Sequence, residues 1–452
     1  MIRFSFLTFS LLLSILLKAP EMKAQQQLNM SLKQCIDYGL RNHQSVSLYQ
    51  NKVAYADQQA REALSAYLPQ VNVSAGLDDN LKLQQTIIPE GTFGPGTPEQ
   101  RVAFGTQYNS SMMVQLDQKL YDQSLITGLK ANKPNIELSA LNQQANNENL
   151  IFNIASAYYQ IIVAQKNLDL LQHNEERLKK VLSVTQLQAD QGVAKKIDVK
   201  QVQVNLNNVQ SQIATLQNNL DLAFNTLKFN MGLPTDQGLQ LTDTARWLQE
   251  APSAKLYKEF DYDLTLAAQQ QKVQMELLDI NRKMIRHQAV PSLGIYGRYG
   301  ANGFGAENLG DAFDPLLDYS AIGIKLTWSP FTGFRRDAQY KMAVIDLKNA
   351  RENYELNRRS QALNFQNASS KVAQTQSTVK TNKSNVELAS EVYENTTLQY
   401  RHGIATLTDL LNAELSFREA QNNFIASLLD YYLADLNARL ANGSIQQFYQ
   451  QL

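Results

Sequence analysis

The chain has few of the residues that build disulfide frameworks and catalytic centres. Its 452 residues include one cysteine and four histidines. The single thiol, Cys35, excludes an intrachain disulfide, lacks the small residues that lipoprotein processing needs before it, and has helical spacing, so we expect a buried helical thiol. The histidines are scattered without metal-ligand spacing, and no glycine-rich phosphate loop occurs. Nothing in the sequence therefore indicates an enzyme, a metal site or a cofactor.

An excess of charge and long apolar segments are also missing. The 42 basic and 42 acidic residues give a formal net charge of zero, which disfavours nucleic acid as a partner. Residues 1–24 predict a secretory signal peptide, with Arg3 as its positive charge, residues 4–17 as its apolar core and cleavage near Ala24. No later segment reaches the ~20 apolar residues that a membrane-spanning helix needs. We expect export without a membrane helix.

Asparagine and glutamine are abundant, with runs at 142–149 and 201–219. On helices with an apolar seam, such faces indicate contact with water without strong charge. Two interpretations stand at this point: an ordinary solvated face, or the wall of a water-filled passage.

One short segment occurs twice, at residues 188–199 and 399–410, and Gly403 lies 211 positions after Gly192. The two copies share a glycine, a β-branched residue, an alanine, three variable positions, an aspartate and an aliphatic residue. Each copy lies between two amphipathic helices. This context predicts a left-handed glycine that ends one helix and an aspartate in the first turn of the next. We expect two helical hairpins.

The same offset continues into the helices on both sides of each turn. Apolar or small residues recur there every 3.5 residues on average, which predicts coiled-coil seams. The predicted seam positions are Leu150, Ile154, Ala157, Ile161, Ala164, Leu168, Leu171, Glu175, Leu178, Leu182, Val202, Leu206, Val209, Ile213, Leu216, Leu220, Ala223 and Leu227 in the first half, and Phe365, Ala368, Val372, Thr375, Val379, Val386, Ala389, Tyr393, Ala413, Phe417, Ala420, Phe424, Ser427, Tyr431, Ala434 and Ala438 in the second.

Two segments in each half change to a period of two residues, which predicts strands with one apolar face. These strand pairs lie within 70–120 and 291–329, and a Gly- and Pro-rich loop at 89–98 predicts a long mobile tip. Strands of roughly 10 residues with one apolar face are typical of outer-membrane barrels. Because four strands cannot close a barrel and a bilayer does not tolerate open sheet edges, several copies must contribute strands.

The pattern predicts a mainly α fold with a membrane β-barrel, duplicated internally. We expect a signal peptide at 1–24, a first repeat at 25–231, a connector at 232–261, a second repeat at 262–441 and a polar tail at 442–452. The expected helices are as follows: 31–67, one resuming near Ser124 with Pro134 as first turn or kink and reaching 190, 196–231, 263–289, 335–401 and 406–440.

The paired turns and the order of helices and strands resemble the TolC-like outer-membrane factor family of bacterial efflux and secretion systems, over nearly all of the mature chain. The resemblance implies a homotrimer in the outer membrane of a Gram-negative bacterium. Its twelve strands would form one barrel in contact with outer-membrane lipid, and its helices a long periplasmic barrel. The turns would gate the conduit and contact a periplasmic adaptor protein, while an inner-membrane transporter supplies the energy.

The resemblance also assigns roles by position. Asp409 matches an acidic ring at the tip constriction, and Tyr400 matches a tyrosine that keeps the tip closed. Asn412 falls where some members have a second acidic ring, and Ala405 where some have an arginine, so neither a double ring nor an arginine latch is implied here. The residues implied in the tip turns and in adaptor docking are Gly192, Val193, Ala194, Asp198, Gly403, Ile404 and Ala405.

Each assignment has a purely structural alternative. Asp409 and Asp198 could cap helices, Tyr400 could continue the seam, and the glycines could be backbone requirements. For the whole chain, the rival is a periplasmic coiled-coil adaptor or scaffold without pore activity. In the channel interpretation, three Asp409 carboxylates around a narrow pore would attract cations.

Overall fold

A computed structural model of the chain describes residues 27–249 and 260–452, so the predicted signal peptide lies outside the described residues. The chain divides into two compact units. The helical unit holds the described parts of Met1–Asn51 and Leu141–Gln269, together with Glu355–Leu452. The strand unit holds Lys52–Ala140 and Gln270–Tyr354. Each unit draws on both sequence repeats, so compact units and repeats do not coincide.

The helices and strands follow the predicted order, with several short additions. Within the described residues, no helix combines the length and the apolar character needed to cross a membrane. In chain order the elements are β1 (Leu28–Met30), α1 (Leu32–Asn42), α2 (Gln44–Ser65), β2 (Gln70–Asp79), β3 (Gln85–Ile88), β4 (Gln100–Ala103), β5 (Tyr108–Tyr121), α3 (Gln123–Leu129), α4 (Asn132–Asp190), α5 (Lys196–Met231), β6 (Leu239–Leu241), α6 (Thr244–Gln249), α7 (Leu266–His287), β7 (Ser292–Gly305), β8 (Leu316–Thr327), α8 (Arg335–Arg401), α9 (Leu407–Ala441) and α10 (Ile445–Gln451).

The strand unit contains an antiparallel sheet in the order β2-β5-β7-β8. The β5–β7 pairing joins the two repeats. The predicted alternation is confirmed, since Ile322, Ile324 and Leu326 all lie on one exposed apolar face of β8. Residues that alternate in this way stand on the same side of a sheet. An exposed apolar face of this kind requires a non-aqueous neighbour.

The Gly- and Pro-rich loop at 89–98 is flanked by two short strands that the sequence did not predict. β3 and β4 form a two-stranded antiparallel ribbon in which Thr86 lies opposite Val102. After β5, α3 ends at Leu129 and α4 begins at Asn132, so Pro134 lies in a first helical turn and does not kink the helix.

The helical unit contains the two predicted hairpins, α4–α5 and α8–α9. The bounds of α5 and α8 agree with the prediction, as do the start and end of α9 to within one residue. No residue of the predicted seams is exposed. One core cluster joins Leu178 of α4, Val202, Leu206 and Val209 of α5 and Leu411 of α9. The two hairpins therefore pack against each other close to their turns.

The prediction of a single helix over 31–67 was wrong, because the helix breaks at His43. The backbone of His43 is extended, with φ −68° and ψ 133°. Its Nδ1 lies 2.8 Å from Ser45 Oγ and accepts the Ser45 N–H at 3.1 Å. Such local bonds from a side chain to the backbone compete with helical hydrogen bonds.

Cys35 lies buried on α1, as expected. Burial, with a smaller contribution from nearby Asp243, raises the pKa of its thiol to about 12. A thiol with so high a pKa is almost wholly protonated at neutral pH, so Cys35 acts as an apolar core residue.

The segment expected to be a polar tail forms the helix α10. Ile445 and Phe448 are buried in the core of the helical unit. Their spacing of three residues places them on one face, which the surrounding glutamines conceal in the sequence. The Tyr449 hydroxyl donates to Asp37, and β1 pairs in parallel with β6. The last residues are thus fixed to the first described ones.

Candidate functional site

The two helical turns have the same backbone geometry. Gly192 and Gly403 adopt φ values of 77° and 75°, a region that strains any residue with a side chain. Nothing lies within 4 Å of a Cβ built at either position, so the backbone alone requires glycine. Both turns close by a Schellman motif. The bonds run from the N–H groups of Gly192 and Val193 to the carbonyls of Ala189 (3.1 Å) and Gln188 (2.8 Å), and from those of Gly403 and Ile404 to Tyr400 (3.0 Å) and Gln399 (2.9 Å).

Each turn presents one large apolar side chain to the outside. Val193 is 77% exposed and Ile404 is 76% exposed. Ala194 and Ala405 follow them and are half-buried, with N–H groups bonded to Gln188 and Gln399. Because an exposed β-branched residue gains nothing from burial within this chain, the pair is available for a partner.

Asp409 caps the helix α9. Its Oδ2 accepts the Thr406 N–H at 2.9 Å and the Thr406 hydroxyl at 2.6 Å, and its own N–H donates to Thr406 Oγ1 at 3.2 Å. The bond from the Thr406 hydroxyl, then the bond from its backbone N–H, lower the pKa of the Asp409 carboxyl. The carboxylate is therefore charged at neutral pH and remains exposed. Capping and a pore role do not exclude each other, since Oδ1 is not used.

Asp198 has only half of this arrangement. Its Oδ2 accepts the Lys195 N–H at 3.2 Å. Lys195 stands where the second turn has Thr406, and a lysine has no hydroxyl to return the bond. The two aspartates thus match in sequence position but differ in how they are held.

Tyr400 connects the two hairpins. Its hydroxyl donates to Gln188 Oε1 at 3.3 Å, which joins the end of α8 to the end of α4. Tyr400 is half-buried, so it also continues the seam as the structural alternative suggested. Asn412 is exposed three residues after Asp409, on the same face of α9. The predicted site residues therefore gather at the two turns, and Gln188 was missed because only the folded chain brings it to Tyr400.

A buried polar layer farther from the turns was also missed. Asn174 is 1% exposed and Glu414 is 7% exposed. Within the described residues, Glu414 Oε1 and Arg177 Nε lack a hydrogen bond of good geometry, and the Asn174 amide makes only a weak contact with the Glu414 carboxylate. Burial raises the pKa of Glu414, and the charges of nearby Arg418 and Arg177, together with the contact from Asn174, oppose the rise. Glu414 follows the seam residue Ala413, and this charge next to an apolar seam was the available signal.

An arginine and two aromatic rings pack within the same layer. The Arg177 guanidinium lies 5.8 Å from the ring of Tyr393 and 6.0 Å from that of Phe417, and the two rings stack 5.7 Å apart. These contacts favour association. Each buried polar atom left without a partner costs about 1–3 kcal/mol, which offsets part of this gain.

Residues 36–233 and 263–444 match the profile of a family described as outer membrane efflux protein. The chain belongs to the outer membrane efflux protein family. The outer membrane protein TolC of Vibrio cholerae is 22% identical over 387 residues, which cover 85% of this chain and 84% of TolC. The alkaline protease secretion protein AprF of Pseudomonas aeruginosa is 22% identical over 344 residues, covering 74% of this chain and 69% of AprF. A crystal structure of CusC, a transmembrane channel, superposes with a TM-score of 0.73 at 16% identity and covers 92% of both chains.

Membership in the outer membrane efflux protein family confirms the TolC-like assignment. The family assignment makes the chain an outer-membrane efflux channel protein and not an enzyme. The likeness to CusC confirms the predicted fold class of long helices with a smaller strand region. The family match rules out the alternative of a periplasmic coiled-coil adaptor or scaffold.

Proposed function

We propose that this channel is a homotrimer that carries cargo from the periplasm to the exterior and is gated at the two helical turns. The observation that carries the proposal is the bond from Tyr400 to Gln188, because it ties the two hairpins together beside the exposed Asp409. A contact at the ends of both hairpins can control whether they separate. The repeats at 25–231 and 262–441 would each supply one hairpin and one strand pair, with 232–261 as connector.

The edges of the sheet support the proposed trimer. β2 and β8 each have one neighbouring strand in the described chain, and the face of β8 is apolar and exposed. Three copies that pair β2 with β8 would close a barrel without free edges, which a membrane requires. The amide-rich helix faces would then line the water-filled passage through the periplasm.

Asp409 would form a single acidic ring at the narrowest point, with Asn412 as a neutral polar ring one turn further. Three carboxylates close together attract cations and repel anions. We expect Asp409→Ala to reduce the preference for cations in a planar bilayer, whereas Asp198→Ala, with the same loss of charge in the other turn, should change it less. An unchanged cation preference in Asp409→Ala would remove the acidic ring from the proposal.

Val193 and Ile404 would be the apolar contacts for the periplasmic adaptor, through which an inner-membrane transporter delivers cargo. Both side chains are exposed at turns of rigid geometry, which limits the entropy lost on binding. Ile404→Asp should weaken binding of a purified adaptor and leave the trimer intact, and Val204→Asp, at an exposed position on α5, is the control. Equal adaptor affinity in both variants would contradict this docking surface.

The deciding experiment is single-channel conductance of the purified mature protein in a planar bilayer, combined with its mass in detergent. A trimer with small, cation-selective conductance is the expected result. A monomer that needs no detergent and conducts no ions would overturn both the trimer and the gate.

A further inference from the structure

The strand unit contains a cavity at the end of β7 and β8 that meets the helices. Its volume is about 570 Å³, and its lining includes Arg286, Phe331, Phe334, Arg336, Asp337 and Tyr340. Ser292 of β7 lies opposite Thr327 of β8, so α7 ends and α8 begins at this same end of the sheet. The cavity therefore lies where the apolar strands give way to helix.

The cavity favours an anion. Arg336 is held in place by its guanidinium, which donates to the carbonyls of Ser329 at 3.0 Å and Pro330 at 3.2 Å. Asp337 is already neutralised by Lys341, whose Nζ lies 2.8 Å away. Arg286 lies exposed in the last turn of α7, and the described residues place no acidic side chain within ion-pair distance of it. Two guanidinium groups thus face the cavity without a free carboxylate to balance them.

The rim of the cavity contains two exposed phenylalanines, one of which has a strained backbone. Phe334 has φ 62°, a conformation in which a bulky residue is strained. It is 75% exposed, and its ring meets the 72% exposed Phe331 edge-on at 5.4 Å. Glycine would relieve the strain, and the exposed ring gains little from this chain. A contact between the Phe334 ring and a molecule outside the chain would explain why a phenylalanine occupies this strained position.

We propose that this cavity binds an anionic glycerophospholipid of the membrane leaflet at the helical end of the strands. The two arginines take the phosphate, while Phe331 and Phe334 contact the upper acyl chains. The assignment rests on the proposed function, in that β7 and β8 must cross the bilayer. One ligand then satisfies both the unbalanced positive charge and the exposed aromatic rings, and the exposed apolar face that runs through Leu326 leads directly to it.

Tryptophan fluorescence can test the site because the sequence has two tryptophans, Trp247 and Trp328. Trp247 is buried in the helical unit, whereas Trp328 is exposed beside the cavity, with its Nε1 donating to Ala289 at 3.1 Å. In a Trp247→Phe background, Trp328 becomes the reporter. Its quenching by lipids brominated in the acyl chains measures which lipid lies next to it.

We expect brominated phosphatidylglycerol to quench Trp328 at several-fold lower lipid fraction than brominated phosphatidylcholine. Arg286→Gln should abolish this preference, and the matched control Arg351→Gln, an exposed arginine on α8 outside the cavity, should keep it. Phe334→Gly relieves the strained backbone and should fold well, yet weaken quenching by both lipids. Glycerol phosphate, which lacks acyl chains, should not compete.

Equal quenching by the two lipids, or a preference that survives Arg286→Gln, would overturn the lipid site. Competition by glycerol phosphate would show a free-phosphate site, and loss of the trimer in Phe334→Gly would show a contact between copies; either result overturns the assignment. Conductance of the same preparations separates the two proposals. A conducting trimer without headgroup preference refutes the lipid site alone, and a non-conducting protein that keeps the preference refutes the channel gate alone.

Discussion

The hydroxyl of Tyr400 offers a quantitative test of the gate. Tyr400→Phe keeps the ring in the seam and removes the bond to Gln188. A neutral hydrogen bond contributes about 0.5–1.5 kcal/mol net, and one of 3.3 Å belongs in the lower part of that range, roughly 0.5–1 kcal/mol. If the bond exists in the closed state and breaks on opening, its loss favours the open state by this amount in each protomer.

The trimer multiplies the effect. At about 1.4 kcal/mol for each factor of ten, one lost bond shifts the equilibrium roughly 2- to 5-fold. When the three protomers open together, the free energies add and the shift becomes roughly 10- to 150-fold. A shift near the single-protomer value would show that each protomer opens independently.

The assay is the open probability of single channels in a planar bilayer. Gln188→Leu removes the other partner and should have a similar effect, and the double variant should add little to either single change. Tyr393→Phe is the matched control, because its ring also stacks within the contact between the hairpins. If Tyr400→Phe forms an intact trimer and its open probability equals that of Tyr393→Phe, the bond does not hold the gate and the reasoning is refuted.

Three further predictions concern stability. Burial raises the pKa of Glu148 to about 7, so the folded chain holds this proton more tightly than the unfolded chain does. The stability penalty appears as pH rises from the ordinary glutamate range towards 7; the full shift corresponds to about 3 kcal/mol, which solvent screening of this partly exposed group reduces to about 2 kcal/mol. Glu148→Gln should therefore raise the melting temperature at mildly alkaline pH by that equivalent and leave it unchanged in acid. Gly232→Ala should destabilise more than Gly403→Ala in thermal melts. Both glycines have positive φ, which costs an alanine about 1 kcal/mol at either position, but a Cβ at Gly232 would also lie 2.9 Å from His43 Cα, while the space at Gly403 is empty. Equal losses of stability would contradict this steric argument. The pKa of Asp409 is lowered by its bonds to Thr406, so the cap is present at neutral pH and is lost as pH falls through that lowered value. The protection factors in the first turn of α9, which correct exchange rates for the intrinsic effect of pH, should then fall in acid, and unchanged protection factors would contradict the cap.

The sequence predicts the hairpins well because their signals are local and repeated. The glycines at positions 192 and 403 end helices through their own backbone freedom, and the seams carry a 3.5-residue period over many turns. The bounds of α5 and α8 follow directly from these signals. Alternation likewise predicts β7 and β8, since a strand with one apolar face needs no other information.

The failures share a different cause, which is dependence on tertiary neighbours. The break at His43 comes from a side chain that competes for backbone bonds, and α10 forms because Ile445 and Phe448 find a core contributed by distant segments. Gln188 becomes a site residue only when two hairpins 211 residues apart meet. The buried pair of Asn174 and Glu414 departs from the apolar rule of a seam, which is where pattern-based reasoning is weakest.

The interleaved course of the chain has a consequence for biogenesis. The first described strand pairs with residues 239–241, and Asp37 receives a hydrogen bond from Tyr449, a separation of 412 residues. Contacts so distant in sequence form late, because the intervening chain must be present before they can close. The helical unit therefore cannot be completed until its last residues are present, whereas the strand unit ends at Tyr354. The strand unit can therefore assemble first, and its exposed apolar face is present before the helical unit has closed.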